Sequence, residues 1–338
     1  MILPLANELD SLKLLGRRVG LYFLLGLFLT LCVQIRLTSG LDFFYHDSII
    51  YLESFEEKLA TEGRWLNYLL FQFLQGLDAR FSKWLTHLLM FSAFFVLVSK
   101  VSDKVALNTV SAFLFAFSFS LFEQTMWPHT ALFSAFLFLI YAVFANRQNW
   151  WWLTIAFSIL QFGIISVAVY LIPLVAICVY YKSSDFDKTM IWTTGFWVFS
   201  FILGYLSSQL LTLALTGDFF QLAEWRKPNP LVSFDALITN LSGLTSVIKV
   251  HLRANTAIYA ALLLAIAFNF KRIFTDTSLL LVCITCGLVF FSSFAFSIVT
   301  GIVLYDRSLW PSLAGVLFLI VYLLRDESWS YLNWIMVI

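Results

Sequence analysis

The stretch richest in reactive groups is Asp42-Phe-Phe-Tyr-His46-Asp47-Ser-Ile-Ile-Tyr51, followed closely by Glu62-Gly63-Arg64-Trp65. It lies just past the first apolar run of the chain. A carboxylate at the mouth of a membrane span can stay ionised and still meet a substrate carried in lipid. Such a group can take the proton from a hydroxyl as that oxygen attacks an anomeric carbon. If the leaving group is a lipid-borne phosphate, the bidentate fork of an arginine suits the charge that grows on it. The plainer alternative is a solvated acidic loop, and composition alone favours it.

Two further places could add to such a site. Phe117–Thr130, reading FSFSLFEQTMWPHT, holds Glu123, Trp127 and His129 within eight residues. Tyr305-Asp306-Arg307-Ser308 puts an arginine at the end of a later apolar run, where pairing with Asp306 or reaching toward headgroups is an equal alternative. His46 abuts an acid and could tune it or meet a phosphate. His87 lies in an apolar run and reads as a helix-packing hydrogen bonder, and His251 ends an amphipathic segment and reads as interfacial. The histidines have no metal-ligand spacing. The acids of the first loop still leave room for a carboxylate-bound divalent cation, with no cofactor otherwise implied. Cys283 and Cys286 form a CxxC inside a continuous apolar run, where small packing residues are the better reading.

The elements that must hold these groups follow from composition and periodicity. The 338-residue chain is 61% hydrophobic and only 12% charged. A soluble domain carries roughly a quarter charged residues, so most of this surface must face lipid. Hydropathy gives about ten spans, near Val19–Ile35, Trp84–Ser99, Val105–Leu121, Ala131–Ala145, Trp150–Phe162, Ser166–Tyr181, Met190–Leu215, Thr256–Phe270, Ser278–Thr300 and Ser312–Leu324. Ile2–Leu15 reads as a short interfacial helix. The hairpin turning at Gly163 leaves room for a half-length span. Trp329–Ile338 is too short to cross. The expected fold is therefore all-α and polytopic, a single unit over 1–338.

Lys13, Arg17, Arg18, Lys100, Lys104, Arg147, Lys182, Lys188, Lys271, Arg272 and Arg325 fall in alternate loops. The short loops between them, Phe122–Thr130 and Phe162–Ile165, hold no Lys or Arg. The positive-inside rule then puts the N-terminus in the cytoplasm. Two large loops, 36–83 and 216–255, fall on the outer face. In the first, Leu52, Phe55 and Leu59 recur at helical spacing against a charged face, followed by the apolar stripe of Trp65, Leu66, Leu69, Leu70 and Phe73. In the second, Phe234, Leu237, Ile238, Leu241, Leu244, Val247 and Ile248 form one apolar face, and Arg226 and Lys227 read as headgroup contacts. Both loops are expected to lie on the bilayer surface as interfacial helices that could roof a cavity. The chain has no Walker loop, GxGxxG, HExxH or serine elbow, so an activated substrate would arrive as a lipid.

Three elements resemble the serotype-converting O-antigen glucosyltransferases, within the C-type (GT-C) superfamily of polytopic membrane glycosyltransferases. The acidic motif after the first span is similar to the family's paired-acid signature, with His46-Asp47 in place of two adjacent acids. Gly63-Arg64-Trp65-Leu66 is similar to its Gly-Arg-x-Leu element, and Phe117–Thr130 to its second outer loop, with Glu123 at the position of an acid. The resemblance implies a GT-C-like fold in a bacterial inner membrane. It also implies transfer of a sugar, glucose first, from a polyprenyl-phosphate donor to a lipid-linked or surface polysaccharide such as O-antigen. On that basis Asp47 is the first expected general base and Asp42 the second, with Glu123 assisting. Arg64, Arg307 and His46 would meet the donor phosphate, and Trp65, Trp127 and His129 the acceptor or sugar.

The rival is a transporter or flippase for a polyprenyl-linked sugar. Transporters concentrate ionisable groups near mid-membrane and often show inverted repeats. Here the spans are nearly free of charge and no repeat is visible, which favours the enzyme.

Overall fold

The computed structural model describes residues 3–39, 56–74, 76–222, 226, 228–302 and 304–326. The described residues are helical, without strands. Asp42, His46 and Asp47 lie outside the described residues, as do Lys227 and Trp329–Ile338.

In chain order the α-helices are α1 Leu3–Thr38, α2 Glu56–Glu62, α3 Trp65–Leu74, α4 Ala79–Ser99, α5 Val105–Ala116, α6 Phe119–Gln124, α7 Pro128–Phe144 and α8 Trp150–Phe162, then α9 Ile172–Tyr180, α10 Phe186–Thr216, α11 Phe234–Ala254, α12 Thr256–Thr275, α13 Thr277–Thr300 and α14 Trp310–Leu324. The 3-10 turns Ser166–Leu171 and Asp306–Ser308 interrupt the series. Among the described residues five helices are long and apolar enough to cross a membrane: Arg18–Thr38 of α1, then α4, α10, α12 and α13. Five shorter apolar segments, of 10–17 residues, pack among them.

Burial sorts the apolar helices into two kinds. Every residue of α14 is buried, so a helix apolar all round forms the centre of the bundle. On α10 and α12 the large side chains point outward: Trp192 is 74% exposed and Leu263 68%. An exposed apolar face of this extent has lipid as its natural solvent.

The expected N-terminal interfacial helix is instead continuous with the first span in the 36-residue α1. The apolar run Val105–Leu121 breaks in two at Phe117–Ser118, and Ser118 caps the short α6 by accepting from the Leu121 N–H. The first outer loop is shorter than 36–83, because Asp78 caps α4 and starts it at Ala79.

The space that matters opens where helices stop short. α8 ends at Phe162, and the chain turns through Gly163 into a 3-10 segment before α9 begins. This hairpin leaves one end of the bundle unfilled. α2 and α3 cover the gap and are pinned to it, since the Leu66 and Asn67 N–H groups both donate to the Gly163 carbonyl, at 3.1 and 3.2 Å. A Cβ on Gly163 would lie 2.7 Å from the Trp65 indole, so only glycine permits this approach.

Candidate functional site

Beneath α2 and α3 lies a cavity of about 710 Å³. Its polar side carries Lys58, Glu62, Arg64, Trp127, Arg226 and Arg307. The rest of its lining is largely apolar and aromatic, with Phe162, Tyr170, Phe201, Tyr205, Phe220 and Phe296 prominent.

Glu62 organises the polar side. It is the last residue of α2, one turn beyond Lys58, whose Nζ lies 3.1 Å from Glu62 Oε1. Gly63 follows in the left-handed region at φ +64°, which a side chain would strain, and this sharp turn swings Arg64 back onto Glu62 Oε2. Arg226, from the segment after α10, reaches Glu62 Oε1 at 2.9 Å. Ser208 on α10 donates to the Gly63 carbonyl, and the Gln221 N–H donates to the Ala60 carbonyl at 2.9 Å. These bonds fix α2 against α10. Burial alone would raise the Glu62 carboxyl, but Arg64, Arg226 and Lys58 outweigh it and bring it from its ordinary 4.5 down to about 2.

Trp127 lies at the N-terminal edge of α7, and its ring is approached by three cations. Lys58 Nζ stands 5.3 Å from its centroid, the Arg64 guanidinium 5.8 Å and the Arg307 guanidinium 5.0 Å. Arg307 also lies 4.5 Å from the Tyr305 ring. Arg64 Nη1 is a buried donor with no acceptor, in a residue that lines the cavity. A buried charged donor left in this state invites an anionic ligand atom. Chemically, the arrangement can hold an oxyanion among guanidinium and ammonium groups beside an aromatic plate, with a hydrocarbon chain against the apolar part of the lining.

The structure brings Arg64, Arg307 and Trp127, three of the residues singled out in the sequence, together at one cavity. Glu123 does not line the cavity. It stands beside it, accepting the Arg307 backbone N–H. Burial raises its carboxyl, Asp306 raises it further, and Arg307 opposes both.

Two expected acceptor contacts lie elsewhere. Trp65 is buried against Gly163, and His129 is buried with its Nδ1 3.0 Å from Ser82 Oγ. Neither lines the cavity, because packing of the roof and of α4 against α7 occupies both rings.

His251 is not interfacial. It is 1% exposed and lies 2.9 Å from Asp306 Oδ1, so Asp306 pairs with His251 and Arg307 is left to the cavity. Arg226, expected at the headgroups, turns inward to Glu62. His87 is a packing residue, with Nδ1 2.6 Å from the Ala116 carbonyl and Nε2 3.2 Å from Thr125 Oγ1. Among the described residues no group of three or more His, Cys, Asp or Glu is placed to hold a metal ion, and the first-loop acids Asp42, Asp47 and Glu53 lie outside them.

Lys58, Glu62 and Arg226 were missed as site residues. The i, i+4 spacing of Lys58 and Glu62 was the one local signal, and it reads equally as a solvent-facing pair. Nothing near Arg226 in sequence points to Glu62. Compared with known protein-family models, curated proteins and solved structures, the chain matches none.

Proposed function

We propose that this protein is a membrane glycosyltransferase that takes its sugar from a polyprenyl-phosphate donor and passes it to a lipid-linked or surface polysaccharide. The observation that carries this reading is the cavity in which cations converge on Trp127 and whose remaining lining is aromatic and aliphatic. A lipid phosphate has those two halves, an oxyanion and a hydrocarbon chain. A soluble sugar nucleotide would have no use for the apolar side.

In the reaction the acceptor oxygen forms a bond to the anomeric carbon, and the bond from that carbon to the phosphate oxygen breaks. The acceptor proton passes to a carboxylate, Asp47 first and Asp42 second, with Glu123 nearest the cavity among the described candidates. Polyprenyl phosphate leaves with the bonding electrons, its added charge held by Arg64, Arg226 and Arg307. The likeness to O-antigen glucosyltransferases favours glucose. About ten spans, an inner-membrane location, a cytoplasmic N-terminus and a cavity facing the periplasm belong to the same reading.

Purified protein in detergent, given a radiolabelled polyprenyl-phosphate glucose and a lipid-linked glycan, tests it directly. Transfer is expected from the wild type and from none of the Asp47→Asn preparations that still bind donor. Full turnover in both Asp47→Asn and Asp42→Asn would remove the first loop from the chemistry. Donor binding without transfer in detergent, together with movement of the same lipid across vesicles, would replace the enzyme with a transporter.

A further inference from the structure

Behind the turn that carries Arg307 lies a second polar cluster, which the transfer reaction does not use. Asp306 Oδ1 accepts from Ser120 Oγ at 3.0 Å and from His251 Nδ1–H at 2.9 Å. All three residues are more than nine-tenths buried. They come from three elements: Ser120 from α6, His251 from the last turn of α11, and Asp306 from the 3-10 turn itself. Asp306 Oδ2, His251 Nε2 and the Tyr259 hydroxyl are buried with no hydrogen-bond partner. Each such orphan costs about 1–3 kcal/mol, so an apolar cluster of the same shape would favour folding more. The cluster is therefore poorly explained as a stability device.

Its position offers a better account. A 3-10 turn of three residues has little stability of its own, and this one carries Arg307. Adjacent Asp306 and Arg307 would ordinarily pair with each other. Here the carboxylate is drawn away into α6 and α11, and the guanidinium goes the other way, over Trp127. The α6 side is reinforced by Glu123, which holds the Arg307 N–H, and Ser293 on α13 donates to the Ser308 carbonyl at 3.3 Å.

α11 is itself an outer-loop helix. Its packed stripe is Ala236, Asn240, Leu244 and His251, while Phe234, Ile238, Leu241 and Ile248 are exposed as a lipid-facing stripe. Asn240 ties it to the bundle through the Asn229 and Ile298 carbonyls.

We propose that Asp306, His251 and Ser120 are positioning residues that aim Arg307 at the lipid phosphate, so that headgroup binding depends on α11 being seated on the bundle. This rests on the reading of the cavity as a lipid-phosphate site. The experiment is a double-mutant cycle on binding of a short isoprenyl phosphate in detergent, with the matching isoprenol as control. Arg307→Ala and Asp306→Ala should each weaken binding about tenfold, and the double variant should be no worse than Arg307→Ala. His251→Ala should behave like Asp306→Ala. His251→Asn, which keeps a donor toward Asp306, should restore most of the affinity.

Equal losses from Asp306→Ala in the presence and absence of Arg307 would overturn the positioning role while leaving the phosphate site intact. If isoprenyl phosphate binds no better than isoprenol, and Arg307→Ala changes nothing, the lipid-phosphate reading falls and this inference with it. Should Asp306→Ala fail to fold, the His251→Ala and His251→Asn pair carries the same decision.

Discussion

Two buried carboxylates, Glu62 at the end of α2 and Asp306 in the turn that carries Arg307, are managed in opposite ways. Glu62 and Asp306 side chains have nearly the same exposure, 7% and 8%. Glu62 is surrounded by Lys58, Arg64 and Arg226, which hold it ionised and make one charged assembly facing a cavity. Asp306 has an imidazole and a hydroxyl on one oxygen and nothing on the other. The same burial therefore serves two ends. Where cations converge, a carboxylate holds them together, and the proposed role is to present them to an anionic ligand. Where an imidazole and a hydroxyl converge, the proposed role is to fix the direction of a turn.

The comparison breaks most readily at Glu62. Replacing it with Ala or Gln leaves three cations without their shared counter-ion, and removing one partner of a buried ionic group costs about 3–5 kcal/mol. Unfolding in detergent should show that loss for Glu62→Gln, against about 1 kcal/mol for Asp306→Asn, which keeps an acceptor for Ser120 and His251. Equal losses in the two variants would erase the distinction between the centres.

Acid offers a second route to the same contrast. The folded value of Glu62 lies below its ordinary one, so its contribution is complete above about pH 4.5 and drains away as pH falls toward about 2. The full effect is roughly 3 kcal/mol. In a pH series of unfolding midpoints, the part of the decline below pH 4.5 due to Glu62 should be missing from Glu62→Gln.

Binding should respond less than stability. Trp127→Leu removes the aromatic plate but no charge, and should weaken isoprenyl phosphate binding by about tenfold, near 1–2 kcal/mol, with little change in unfolding. A drop in stability matching Glu62→Gln would make Trp127 a packing residue rather than part of the site. The smallest effect belongs to Glu123→Gln. Burial and Asp306 both disfavour the charge on Glu123, so its neutral replacement should shift stability by under about 1 kcal/mol, toward gain. A loss of several kcal/mol would mean that its bond from the Arg307 N–H needs the charge.

Much of the helical layout was readable in advance. Trp150–Phe162 coincides with α8, and Ser278–Thr300 and Ser312–Leu324 differ from α13 and α14 by one and two residues at their starts. These runs are apolar over their whole length, so hydropathy alone defines them. The reading failed at Val105–Leu121, where Ser118 ends one helix and caps the next inside an apolar stretch. It failed again at His251, because amphipathic periodicity identifies a helix but does not say which face meets the bundle and which meets lipid. The apolar stripe read for α11 includes Ile238, Leu241 and Ile248, all of which stay exposed.

The sequence by itself determined that this chain buries most of its helices in apolar surroundings, and that Arg64, Trp127 and Arg307 lie at the ends of apolar runs. Those are properties of composition and short spacing. The tertiary structure alone decided that Arg226 joins Arg64 and Lys58 on Glu62, and that His251 takes Asp306 away from Arg307. The reason is electrostatic. A charge inside an apolar bundle is tolerable only beside its partner, and the partner comes from whichever distant segment folding brings within about 3 Å, which no local pattern encodes.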